Sequence, residues 1–198
     1  MSALVTDAET PALGETATAV FGPAQPCRRH PGRPTTVCAG CHPYRYELTR
    51  TWDRRRPPAT FLMLNPSTAD ALTDDPTIRR CIGYARTWAC GGLVVINTFA
   101  LRSTDPRALY GHADPIGPDN DRVIGQRLTR IAANGGPLIA AWGAHGVHLD
   151  RHRQVAALTA QRGVQMAALA ITKGGHPGHP LYLPRTARPV PYEPLETR

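Results

Sequence analysis

Thr60-Phe61-Leu62-Met63-Leu64-Asn65-Pro66 is the stretch that decides the fold. An uncharged run too short for a helix describes a strand buried on both faces. It ends on an amide and then on proline, which fixes φ and ends the regular pairing. Three more apolar runs repeat the pattern: Leu93-Val94-Val95-Ile96 before Asn97, Leu138 to Trp142 before Gly143, and Val164 to Ile171 before Lys173-Gly174-Gly175-His176. Helical spacing separates them. In Pro76 to Trp88, residues Ile78, Cys81, Ile82 and Ala85 share one face, with Asp75 as N-cap and Pro76 in the first turn. Pro118 to Ala133 repeats the period through Val123, Ile124, Leu128 and Ile131, and Leu149 to Gln161 follows as a further helix. Strand–helix alternation of this kind predicts an α/β fold, a three-layer α/β/α sandwich on a central, mainly parallel four-stranded sheet.

Working outward, Tyr44 to Trp52 alternates large and polar residues as a half-buried strand, and Arg54-Arg55-Arg56-Pro57-Pro58 breaks it. The expected organisation is a disordered lead-in over residues 1–26, a Cys/His segment over 27–43, one α/β domain over 44–184 and a tail over 185–198, with Pro184 onward reading as an ordered edge that runs into the tail. The length of 198 residues suits one domain with an appendage. Proline, 20 residues or about 10%, is twice its usual share and gathers at the ends and in turns. Charged residues make up 19%, too few for a disordered polyelectrolyte. No apolar run approaches the ~18 residues of a membrane span, and Met1 to Thr18 lacks a basic segment followed by an apolar one. A cytoplasmic protein without a membrane partner is expected.

The net charge of +8 suits a polyanionic partner, DNA or a nucleotide. The basic side chains are almost all arginine, the bidentate phosphate ligand, and Lys173 is the only lysine. Genomic base composition explains an arginine-rich chain equally well.

Ligands of open parallel sheets bind outside the carboxyl ends of the strands. The loops starting at Asn65, Asn97, Gly143 and Lys173 must therefore meet on one rim. An asparagine carries a donor and an acceptor, so it can orient a water or read the edge of a base, though Asn-Pro also starts ordinary turns. His176 and His179 stand among glycines and prolines and suit donors to a developing anion. Gly143 lets the backbone approach a ligand. Asp70, Asp74 and Asp75 invite a metal or general-base reading, set against a capping cluster at the helix N-terminus; capping is preferred for Asp75 and the role of Asp70 stays open. No phosphate-binding P-loop, nucleophile elbow or dinucleotide fingerprint occurs.

Cys27-x2-His30-x7-Cys38-x2-Cys41 has the spacing of a small structural zinc site with those four residues as ligands, or with His42 in place of His30. The segment Cys38 to His42 also spells a c-type haem attachment motif, which the lack of an export signal disfavours. Five cysteines in a cytosolic chain argue against disulfides.

Four motifs are specific enough to carry a resemblance: Met63 to Asp70, Asp74 to Cys81, Ala141-Trp142-Gly143, and Gly175-His176-Pro177-Gly178-His179-Pro180-Leu181-Tyr182. From Tyr44 to Leu183 the chain resembles a bacterial and phage family of unknown function, domain of unknown function 1643. More distantly, Leu64-Asn65-Pro66, Val94 to Asn97, Ile139 to Gly143 and His176 to Leu181 are similar, in order and at strand ends, to landmarks of the uracil-DNA glycosylase superfamily. That resemblance implies cleavage of a nucleobase N-glycosidic bond in a base flipped out of the stack. It implies that Asn65 holds the attacking water and that His176 or His179 stabilises the leaving base. Asn97 would read the base edge and Phe99 would stack on it, with Pro66, Ser67, Trp142, Gly143 and Leu181 completing the substrate site. Arg79, Arg80, Arg102 and Lys173 would hold phosphates. No cofactor is needed for such chemistry. Some relatives in that superfamily hold an iron–sulfur cluster, which Cys38, Cys41, Cys81 and Cys90 imitate, although Cys81 lies on the core face of its helix. Two other readings use the same pocket: a non-catalytic binder of nucleic acid or a modified nucleotide, and a hydrolase or transferase acting on a nucleotide-like small molecule.

Overall fold

The computed structural model describes residues 5–9, 15–22, 42–67 and 73–194, with only the backbone of 5–9. Its centre is a parallel quartet. Strand β4 (Ala59–Met63) pairs with β5 (Gly92–Asn97) on one side and β6 (Leu138–Ala140) on the other, and β6 pairs with β7 (Met166–Ala168). These are the four strands predicted from the apolar runs. Every residue of β4 and β5 is buried, as strands covered on both faces require.

The sheet is wider than the four strands expected. Antiparallel strands extend both sides: β1 (Val5–Glu9), β2 (Thr16–Phe21) and β3 (Arg45–Thr51) beyond β5, and β8 (Val190–Pro191) beyond β7. The order is β1-β2-β3-β5-β4-β6-β7-β8. The lead-in expected to be disordered thus contributes two strands. Its Thr-Ala-Thr-Ala alternation buries Ala17, Ala19 and Phe21 on one face of β2. The C-terminal tail likewise adds an edge strand, followed by a buried Tyr192.

One face of the sheet is covered by α1 (Pro76–Thr87), whose Ile78, Cys81, Tyr84 and Ala85 pack with Phe61, Val95 and Ile139. Asp75 caps it as expected, its Oδ1 accepting the Ile78 amide at 2.8 Å. Phe61, Tyr84 and Trp88 stack with ring centroids 5.6–6.4 Å apart. The opposite face is covered by α3 (Asn120–Asn134) and α4 (Arg151–Ala160), where Ile124, Leu128 and Val155 meet Leu62, Val94 and Ala140. The short α2 (Ala108–Gly111) lies in the β5–α3 connection.

This arrangement positions the site. The chain leaves β4 toward α1, on one face, whereas it leaves both neighbours, β5 and β6, toward α3 and α4 on the other. Connections diverging from adjacent parallel strands open a crevice at their carboxyl ends.

Candidate active site

Strand β4 delivers Asn65 to this point of divergence and β5 delivers Asn97. Met63 and Asn97 are register partners, so Asn65 lies two residues past the neighbour of Asn97. The two exits are zipped together: Thr98 and Phe99 amides donate to the Met63 and Leu64 carbonyls at 2.8 and 2.9 Å, and the Ser103 amide donates to Pro66 at 2.9 Å.

Leu93 and Val95 pack toward α1 while Val94 and Ile96 pack toward α3, so period-2 alternation turns the Asn97 side chain toward α1. Asn97 is 2% exposed, and its Nδ2 has no hydrogen-bond partner among the described residues. A buried donor left unpaired costs about 1–3 kcal/mol, which an acceptor on a ligand would return. Its backbone is held from behind. Asn120 Nδ2 donates to the carbonyls of Asn97 and Thr98 at 3.0 and 3.1 Å, and Arg151 Nε donates to Thr98 at 2.7 Å. Arg151 also pairs with Asp121, and both Asn120 and Arg151 are fully buried.

The half-buried Asn65 is locked by its own amide. Nδ2 donates to the Ser103 carbonyl at 2.8 Å, with longer contacts to Pro66 and Leu101. The donor side is spent on the loop, which leaves Oδ1 as the end able to accept from a ligand or water. Pro66 is buried in this zipper, and Ser67 follows it directly.

The two candidate histidines separate. His179 caps the short turn Pro180–Tyr182, which packs against α1, the side that Asn97 faces. Burial holds the His179 pKa below the ordinary imidazole range, against the pull of Asp75. The Leu181 amide donates to Nδ1 at 3.4 Å, so the proton of the neutral ring sits on Nε2. His176 instead lies near His152 of α4, on the other side of the sheet, in a tight turn closed by the Ile171–Pro177 bridge.

The remaining candidates scatter. Phe99 is fully buried with Leu101 and Leu109, its ring 5.6 Å from His148, so it is core rather than an open stacking face. Trp142 packs on Tyr192 on the α3/α4 side. A Cβ on Gly146 would come within 2.1 Å of its ring, so only glycine fits there. Gly143, at φ +65, turns the chain out of β6 and donates to the Pro177 carbonyl at 3.1 Å, joining two rim loops. Arg79, Arg80 and Leu181 line a groove along α1. Arg102 is elsewhere, over the Phe21 ring at 5.5 Å, and Lys173 is exposed at the 172–175 turn.

Cys27, His30, Cys38 and Cys41, and Asp70, lie outside the described residues. His42, the alternative zinc ligand, is buried against Phe21 with Nδ1 2.8 Å from the Gly22 carbonyl oxygen. Among the described residues no three His, Cys, Asp or Glu side chains are grouped to hold a metal. Cys81 and Cys90 are buried free thiols. No helix among the described residues is long and apolar enough to cross a membrane.

Sequence reasoning missed Asn120, Arg151, Arg185 and the buried Arg45, whose amide donates to Ala100 on the β5 exit loop at 3.0 Å. A polar residue early in a helix reads as solvent-facing, so Asn120 and Arg151 gave no signal.

A family model described as "Protein of unknown function (DUF1643)" matches residues 45–181. No curated protein matches the chain, and no solved structure does.

Proposed function

The chain belongs to the family of proteins of unknown function DUF1643, and on that premise we propose that it recognises a nucleobase at the carboxyl rim and cleaves its N-glycosidic bond. The observation that carries this reading is the Nδ2 of Asn97, a buried donor without a partner among the described residues, at the carboxyl end of a parallel strand. A donor so placed suits an acceptor on a base edge. Asn65 Oδ1, its amide fixed by Ser103, would orient the water. The water oxygen would bond to the sugar carbon as the C–N bond breaks, and the bonding pair would leave with the base. His179, neutral and protonated on Nε2, would donate to the charge developing there. The water proton would pass to solvent, because an amide is no base. Turnover should therefore be slow unless the leaving base is activated.

A second reading has its own observation. The Asn65 donor already serves the loop, so Asn65 also works as a clamp that shapes a binding pocket without chemistry. The two readings part on one experiment: the full chain incubated with DNA containing a panel of modified bases, assayed for released base and abasic sites. The first expects release by the wild type, loss of release with retained binding in Asn65→Ala, and loss of both in Asn97→Ala. Binding without release from any substrate would leave the binder, and base release unchanged in Asn65→Ala would overturn the glycosidic mechanism.

A further inference from the structure

Between α1 and the segment that follows the His179 loop runs a groove of about 490 Å³. Arg79 and Arg80 border it from the helix and Arg185 from the opposite wall. None of the three has a carboxylate partner among the described residues. Arg79 donates to the main-chain carbonyl of Asp74, and Arg80 Nη1 donates to that of Leu183 at 2.9 Å. Arg185 makes neither a hydrogen bond nor an ion pair with a described residue. The nearest acids in sequence are engaged, Asp74 by Arg50 at 2.8 Å and Asp75 by the Ile78 amide. A guanidinium has five donors, so most of theirs remain for a ligand.

The walls are held in place without one. The Tyr84 hydroxyl donates to the Pro184 carbonyl at 2.7 Å, and the Arg80 bond to Leu183 ties the same segment to α1. The groove starts beside the His179 loop, where Pro76 and Leu181 both line it, and it continues along the helix to Thr87. At ~1.5 Å per residue that is about 17 Å, room for several successive phosphates and too long for one.

We infer that this groove carries the phosphodiester backbone of a nucleic-acid strand, so that the base taken at the rim belongs to a polymer and not to a free nucleotide. The inference rests on the rim reading above for the base, but its own evidence is the uncompensated charge and the length of the groove. Gly83 offers an independent probe. It lies on the groove face of α1, and a Cβ there would meet nothing within 4 Å. Gly83→Glu therefore introduces a negative charge without disturbing packing and replaces a poor helix former with a better one.

The test is fluorescence anisotropy of a labelled dT12 oligonucleotide with the full chain across a salt series. Each phosphate neutralised on a single strand contributes a slope of about 0.7 in log K against log salt. Arg79→Ala/Arg185→Ala is expected to lower the slope by about 1.4, for two lost contacts, and Gly83→Glu to weaken binding at least tenfold at low salt. Binding of thymidine monophosphate, titrated separately, should stay within twofold of wild type in both variants. Unchanged slope and affinity for the oligonucleotide would overturn the inference, as would equal loss of mononucleotide and oligonucleotide binding. The outcomes separate this claim from the glycosidic one. Groove variants that lose the strand in a protein releasing no base uphold the groove and end the chemistry. Base release with an unaltered salt slope does the reverse.

Discussion

The strand end bearing Asn97 is set by two side chains that touch nothing but protein. Asn120 donates to two successive carbonyls and Arg151 to the second of them, so the peptide after Asn97 is gripped from the α3/α4 side while the amide faces α1. Removing Asn120 takes its donor from the Asn97 carbonyl and leaves that of Thr98 to Arg151 alone. Asn120→Ala is expected to cost about 1–3 kcal/mol in urea unfolding and to weaken whatever binds at Asn97. A variant with wild-type stability and ligand affinity would show that the grip does no work. At this scale the sequence told half the story. The placement of Asn65 and Asn97 at neighbouring strand ends was legible because each closes an apolar run, where an amide is out of place. Asn120 and Arg151 were not, because their partners lie more than 20 residues away and no local pattern marks them. Phe99 and Trp142 were misjudged for a related reason: a strand exit has lost its period, so an aromatic there does not announce whether it points into core or crevice.

Elements were read best where their apolar period was strong. All four parallel strands, α1 with its Asp75 cap, α3 and α4 emerged from spacing alone. Strand β2 was overlooked although it alternates correctly, because its buried positions are mostly alanines, which carry little hydrophobic signal. The β3–α3 contact shows what spacing leaves out. Glu47 on β3 and Arg127 on α3 form a bidentate pair, at 2.6 and 3.1 Å, with both side chains about nine-tenths buried. Thr49 supplies a further hydrogen bond to Glu47 at 3.2 Å. Breaking one side of such a pair strands a buried charge. Arg127→Leu should lose about 3–5 kcal/mol, whereas Arg127→Leu/Glu47→Leu should recover most of it. The double-mutant cycle measures this, and a double variant as unstable as the single one would mean that the pair specifies the docking of α3 and not merely its own neutrality.

Taken as a whole, the molecule holds a half-buried His179 and a buried His152 on opposite sides of one sheet, and this fixes how its stability responds to acid. Burial lowers the pKa of His179 on the α1 side, opposed by Asp75. Burial also lowers that of His152 on the α4 side, opposed by Asp150 and reinforced by Arg153 and His176. The unfolded chain takes up these protons as pH falls past the ordinary 6.5, while the folded chain resists until the pH is lower. Stability from both groups is therefore complete above about 6.5 and is lost as pH drops through their folded values. The window is separable from acid titration of carboxylates. Hydrogen bonds from the Arg55 side chain and amide hold Asp53 below its ordinary 3.8, and the Arg107 amide and side chain do the same for Asp105, so those contributions persist until much lower pH. Urea midpoints should fall between pH 7.5 and pH 5, and His179→Gln and His152→Gln should each flatten the fall. Because the two rings share no partner across the sheet, the flattening should add in the double variant. A double variant whose midpoint still falls in parallel with wild type would place the acid sensitivity elsewhere in the fold.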